Sequence, residues 1–269
     1  MRGPAIVVGA GLLVALVGLG LGAPEHLSDP DLGYALASPA ELPPLGGDER
    51  GRPLIDYARQ GAAIVAGPAL LAGLLVALFS TIGGLAACVS PRTEALLAGF
   101  GEVVGALPRM VVVLVVALVV PREARSLWPI ALTWAVLATP GAMDEAAAVA
   151  RRLGGARFVE ALRAHGFTAG RILLVHLVGY NLRPVVVRQG LETTMQVVFL
   201  EIALSYLTLA ENQPSLTHSD STRSWAAILD LGYKVILDLP AWHALWTGLG
   251  LLAMVAGAVV CLRFATRAR

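Results

Sequence analysis

Lysine is all but missing from this chain, in which Lys234 is the single example. Cysteine is nearly as scarce. Cys88 and Cys261 are each near the end of an apolar run and read as reduced apolar residues, which excludes a disulfide scaffold. Five scattered histidines and two distant cysteines assemble neither a metal-ligand cluster nor a nucleophile triad, so no metal and no catalytic residue is expected. A phosphate-binding GxxxxGK[ST] loop is also missing. The chain is therefore not expected to be an enzyme, and if ATP drives it, another subunit hydrolyses the nucleotide. Charged residues make up 14% of the 269 positions and hydrophobic residues 57%, with a mean hydropathy of +0.72, too apolar for a soluble domain of this length. The net charge of +1 suggests no nucleic-acid partner. What remains is an all-α polytopic membrane protein whose first partner is the lipid bilayer.

Six apolar runs are separated by polar stretches. The first, about Pro4 to Gly22, follows Arg2 and is long enough to cross a hydrocarbon core of roughly 30 Å at about 1.5 Å per residue. It suits a first span or a cleaved leader, and either leaves the next segment outside. Residues 23–61, rich in Pro, Asp and Glu, read as an outer loop. Spans two (about Ala63 to Cys88) and three (about Ala95 to Val120) form a tight hairpin around a connector with Pro91 and Arg92. After a short outer loop with Arg122, Glu123 and Arg125, span four starts near Trp128 and runs to about Ala142. Its helix continues past Pro140 through Asp144 to Arg152, and Gly154 and Gly155 then break it. Residues 143–183 form a cytoplasmic loop, span five covers about Pro184 to Leu209, residues 210–240 form a second outer loop, and span six covers about Ala241 to Phe264. With an inside N-terminus, Arg2, Arg92, the seven arginines from Arg151 to Arg188, Arg263, Arg267 and Arg269 are cytoplasmic. These twelve basic residues outnumber seven outside, as the positive-inside rule requires. Both termini are then cytoplasmic, and residues 1–269 form one membrane domain.

Few charges fall within the runs, where an ionised group is costly unless paired or hydrated. Glu102 and Arg109, seven residues apart in span three, are expected on one helix face. They are candidates for a translocation path or its gate, and a structural pair between packed helices fits the same spacing. Arg188, Glu192 and Gln196 recur every fourth residue along the cytoplasmic half of span five. Such a stripe faces a water-filled cavity or a partner helix, or else it holds an Arg188–Glu192 (i, i+4) pair. Glu201 is a further acid within the same span, and these six residues are the candidate path.

The stretch from Phe158 to Pro184 is polar and dotted with arginine between apolar runs. Phe158, Val159 and Leu162 put an apolar edge on a short helix, Gly166 supplies the positive φ that ends it, and Thr168 is a good N-cap for the next one. An ordinary helical hairpin would read the same way. Glu160 and Ala161, Gly166 five residues on, then Ile172, Leu182 and Pro184 resemble the EAA loop of permease subunits of binding-protein-dependent ABC importers. Further stretches resemble the peptide and nickel branch of that family. LEIALSYLTLA, at Leu200 to Ala210, is similar to its LEAALSFLGLG. LGGDERGRPLIDYARQGA, at Leu45 to Ala62, is similar to its GTDxxGRD segment through Gly46, Asp48, Gly51 and Arg52, with Gly47 and Pro53 departing. GEVVGALP carries its acid and proline as Glu102 and Pro108. SWAAIL, at Ser224 to Leu229, resembles its PSWG, with Arg223 and Ala226 departing, and Trp225 suits a helix lying at the outer interface. Around Thr217 to Thr222 there is a polar insertion, and the family's C-terminal GDxLRDxLDPR is absent.

The resemblance implies a type I ABC importer permease fold of about six transmembrane helices in a bacterial cytoplasmic (inner) membrane. It also implies four partners: a second homologous permease, two cytoplasmic ABC ATPases and an extracytoplasmic solute-binding protein. ATP and Mg would be held by the ATPases, and no cofactor by this chain. Phe158, Val159, Glu160, Ala161, Leu162, Arg163, Ala164, His165, Gly166, Phe167 and Thr168 would couple to the ATPases, and the substrate would be a peptide, nickel or a similar small solute. Two other classes fit parts of the chain. One is a stand-alone channel or secondary transporter with Glu102, Arg109 and Glu201 as an ion relay; the other is a transport-incompetent scaffold with the permease fold.

Overall fold

A run of leucine, valine, alanine and glycine satisfies its own backbone hydrogen bonds only as helix, and the computed structural model of the chain is helical wherever such runs occur. It describes residues 2–86, 91–121, 125–154, 157–210, 224–237 and 242–266. Among these the elements are α1 (Arg2–Leu21), α2 (Leu54–Ala86), α3 (Pro91–Gly105), α4 (Arg109–Val119), α5 (Leu127–Gly154) and α6 (Arg157–Ala164). Then α7 (Ala169–Arg171), a π-helical stretch (Ile172–Leu182) and α8 (Arg183–Ala210) run on without a break, followed by α9 (Trp225–Leu237) and α10 (Trp242–Thr266). No strand occurs among the described residues. Cys88, Gly155, Arg122, Glu123, Thr217 to Thr222, Arg223, Pro240, Arg267 and Arg269 lie outside them, as do the side chains of Phe158, Val159 and Arg163.

The bundle is built around α2. It packs along α5 and α8 and has α1 on another side; α10 joins α1, α8 and α9, while α3 and α4 lie against α5. Val65, Ala69, Ala72 and Val76 of α2 meet Ile130, Ala131 and Ala135 of α5, Val197 and Val198 of α8, and Leu16 and Val255 in one continuous core. A smaller cluster of Ala146, Ala150, Leu177 and Leu182 seats the π-helical stretch on α5. Small residues on the contact faces let the helix backbones approach closely.

Among the described residues three helices, α1, α2 and α10, are long and apolar enough to cross a membrane. A fourth candidate is the pair α3 and α4, which is bent by 71°. Large apolar side chains point outward along these helices, among them Val7, Val14, Val111, Val115, Leu118 and Val260, as they would toward lipid. The count is lower than the expected six. Helices α5 and α8 have 28 residues each, but Asp144, Glu145, Arg151 and Arg152 in the first and Arg183, Arg188, Glu192 and Glu201 in the second lower their hydropathy.

Three other expectations are corrected. Span three is not one helix, because Pro108 lacks an N–H and disfavours helical backbone at Leu107. The last turn of α3 tightens through Leu107 N–H to the Val104 carbonyl (3.2 Å), and α4 restarts with Val112 N–H on the Pro108 carbonyl (3.2 Å). The break falls between Glu102 and Arg109, so they do not share a helix face. The loop expected over 23–61 ends early, because α2 begins at Leu54 and its polar first turns are buried. Trp225 does not lie at an interface either; it is 1% exposed and donates from Nε1 to the Ala58 carbonyl at 2.9 Å.

Candidate functional site

The stretch from Arg157 to Leu182 folds as its residue types dictate. The eight-residue helix α6 is strongly amphipathic, and among the described residues no other helix packs broadly against it. Gly166 closes it with φ +81°. His165 N–H reaches the Ala161 carbonyl (3.0 Å), and Phe167 N–H reaches the Leu162 carbonyl (3.1 Å). The second of these spans five residues and, with a left-handed glycine between, makes a Schellman closure. Thr168 then caps α7: its Oγ1 accepts from Arg171 N–H at 3.4 Å, and its carbonyl accepts from Ile172 N–H at 3.1 Å. Phe167 is gripped between the Arg171 guanidinium, 4.9 Å from its ring centre, and the His176 ring, edge-on at 5.7 Å. Glu160, Ala161, Ala164, His165, Gly166 and Thr168 are exposed, while Leu162 and Phe167 are half-buried. The result is a closed turn with most of its described side chains exposed.

The six residues expected along a path are held at separate places in the bundle. Glu102 is exposed on α3, and Arg109 opens α4 with its guanidinium beside Gly141 of α5. Along α8, Arg188 Nη2 pairs with Glu145 Oε1 of α5, and Gln189 Nε2 donates to the other oxygen of the same carboxylate. Glu192 pairs with Arg263 of α10 at 2.9 Å. Gln196 Oε1 accepts from Trp134 Nε1 of α5 at 3.0 Å. Each member of the stripe thus ties α8 to a different position on a neighbour, and Arg188 and Glu192 do not pair with each other. Glu201 is fully buried in the core and accepts from Ser205 Oγ at 2.8 Å.

At another place in the fold the loop before α2 is knotted onto the helices. Asp48 is its hub. Its Oδ1 accepts from Arg50 N–H and Arg52 N–H, both at 2.8 Å, and its Oδ2 accepts from Tyr57 Oη at 2.7 Å. Leu36 N–H donates to the Asp48 carbonyl (2.8 Å) and Gly47 N–H to the Ala37 carbonyl (2.9 Å). Ser28 Oγ donates to Asp56 (2.6 Å) and Gln60 to the Pro24 carbonyl (3.0 Å), while His243 Nε2 of α10 lies 3.1 Å from the Gly47 carbonyl. Between this loop and α9 is a recess of about 140 Å³ containing Asp48, Glu49, Arg50, Tyr57, Asp230 and Lys234. Lys234 reaches Asp230 at 3.0 Å and Glu49 at 3.9 Å. The hydrogen bond with Asp230 holds the Lys234 ammonium above its ordinary range.

Sequence reasoning found the hairpin and α8's polar stripe but missed the partners Glu145, Arg263 and Trp134, and the roles of Asp56 and Tyr57. For Glu145 and Arg263 a signal was present, since each is a charge inside or beside an apolar run and so needs a partner. Among the described residues no group of three or more histidine, cysteine or acidic side chains is placed to hold a metal ion. No protein-family model matches the chain, and no curated protein matches it.

Proposed function

We propose that this chain is a permease subunit of a binding-protein-dependent ABC importer of the peptide and nickel branch. The observation that carries the reading is the α6 turn: a short amphipathic helix closed by Gly166 and recapped by Thr168, with Glu160, Ala161, Ala164 and His165 exposed. That is the shape and chemistry an ATPase groove needs. The six spans would be α1, α2, α3 with α4, α5, α8 and α10. Helices α5 and α8 would carry charge because protein neighbours, rather than lipid, receive it. The partners would be a homologous permease, two ATPases holding ATP and Mg, and an extracytoplasmic binding protein that sets much of the choice of solute. ATP-driven closure of the ATPases would draw the α6 turns of paired permeases together, and the continuous helix from α7 to α8 would carry that motion into the bundle.

The test is uptake by the chain reconstituted in vesicles with its copurified partners. ATP-dependent uptake that is lost in Gly166→Leu, while the membrane part still assembles and ATP is still hydrolysed, supports the coupling role. Normal uptake by that variant removes it. Uptake that needs an ion gradient and no ATP selects the channel or secondary transporter, and assembly without any uptake selects the scaffold.

A further inference from the structure

Helix α8 is held in an unusual way. Where it crosses α2, Gly190 meets Gly73 with no side chain between them: a Cβ built at Gly190 would stand 2.8 Å from the Gly73 carbonyl oxygen and 3.1 Å from Ala77 Cβ. Such close backbone approach makes the crossing a pivot, with the Thr194 side chain packed over Gly73 and Ala77 against Gly190. Polar ties lie on both sides of that point. Arg188 and Gln189 clamp both oxygens of Glu145 on α5, and one turn further on Glu192 holds Arg263 on α10. Both pairs are partly open to solvent, with side chains 35% exposed in the first and 36% and 26% in the second, so they can exchange with water. Immediately before the clamp the helix is wound as an eleven-residue π-helix, closed by Arg183 N–H on the Val178 carbonyl. Runs of that length are rare, and their looser hydrogen bonding suits a segment that rewinds.

We propose that α8 rocks about the Gly73–Gly190 crossing, and that the Arg188/Gln189–Glu145 clamp and the Arg263–Glu192 pair are latches that hold it in the position described here. The permease reading supplies the trigger, movement of the α6 turn, while the latch is a property of this bundle alone. Opening exchanges these ion pairs for hydration and shifts the Gln196–Trp134 bond and the packing of Val197 and Val198, with the Gly73–Gly190 contact kept.

Spin labels at Ala148 on α5 and Arg183 on α8, in the full chain carried from native membranes into bilayer nanodiscs with Cys88 and Cys261 replaced by serine, read the latch by distance. A second pair, Leu74 on α2 and Leu132 on α5, both outward-facing, reports whether the rest of the bundle keeps its packing. Glu145→Gln is expected to raise the longer-distance population of the first pair about threefold or more, leaving the second unchanged. Glu145→Arg and Arg188→Glu alone do the same, and the double swap returns the distribution toward that of the native chain. A distribution unmoved by Glu145→Gln, or a double swap no nearer to native than the single changes, overturns the latch. Whether ATPases copurify with the native chain decides the permease reading separately, without altering this distance readout.

Discussion

Two regions of this molecule are built on opposite terms. The loop of residues 24–53, with the start of α2 and α9, turns its polar groups inward: Asp48 serves three donors, Asp56 holds Ser28, and Trp225 is buried with its indole N–H on the Ala58 carbonyl. The α6 turn satisfies its own backbone through Gly166 and Thr168 and leaves Glu160, Ala161, Ala164, His165 and Thr168 exposed. Fixing the first region requires many partners within the chain. The exposed groups of the second are what the proposed ATPase partner would contact.

Substitutions can break this contrast, beginning with Trp225. Trp225→Ala removes a buried ring and the second hydrogen bond of the Ala58 carbonyl, and should destabilise the fold by about 3 to 5 kcal/mol, read as loss of helicity on heating in detergent. Asp48→Ala leaves two backbone N–H groups and the Tyr57 hydroxyl without their acceptor. A loss of about 2 kcal/mol is expected, together with faster hydrogen exchange at Arg50 and Arg52. Gly166→Leu forces a branched side chain into positive φ and should cost about 1 kcal/mol of global stability, because nothing lies within 4 Å of the site. The contrast fails if this change unfolds the bundle as Trp225→Ala does.

The smallest effect concerns Glu41. The Ser38 backbone N–H, then its hydroxyl, hold the Glu41 carboxyl below its ordinary range. A depressed folded value means that the turn is supported above the unfolded value and loses that support as pH falls through the folded one. Protection of the Ser38 amide should therefore drop as the solution is acidified below the ordinary glutamate range, and Glu41→Gln should abolish that pH dependence.

Much of this was legible in residue types. Apolar runs placed α1, α2 and α10; a glycine five residues after Ala161 and a threonine two beyond it placed the turn; and α5 was expected to pass Pro140 and end at the glycines, as it does. The rest depends on tertiary contact. Asp56, Arg59 and Gln60 look like loop until Ser28 and Pro24 fold over Asp56 and Gln60 and make a buried helical turn possible. Pro68 and Pro140 stay inside helices whereas Pro108 breaks one, a difference that periodicity does not carry. The stripe of α8 was visible, but its partners sit on two other helices 43 to 71 residues away, and only packing chooses between them and an (i, i+4) pair.

The central claim is that the α6 turn docks a cytoplasmic ATPase. The most direct measurement is to tag the chain at its C-terminus, extract it gently from native membranes with nucleotide trapped, and identify what copurifies by mass spectrometry. Two ATPases and a second permease are predicted, with the ATPases lost in Gly166→Leu. Recovery of the chain alone would contradict the claim.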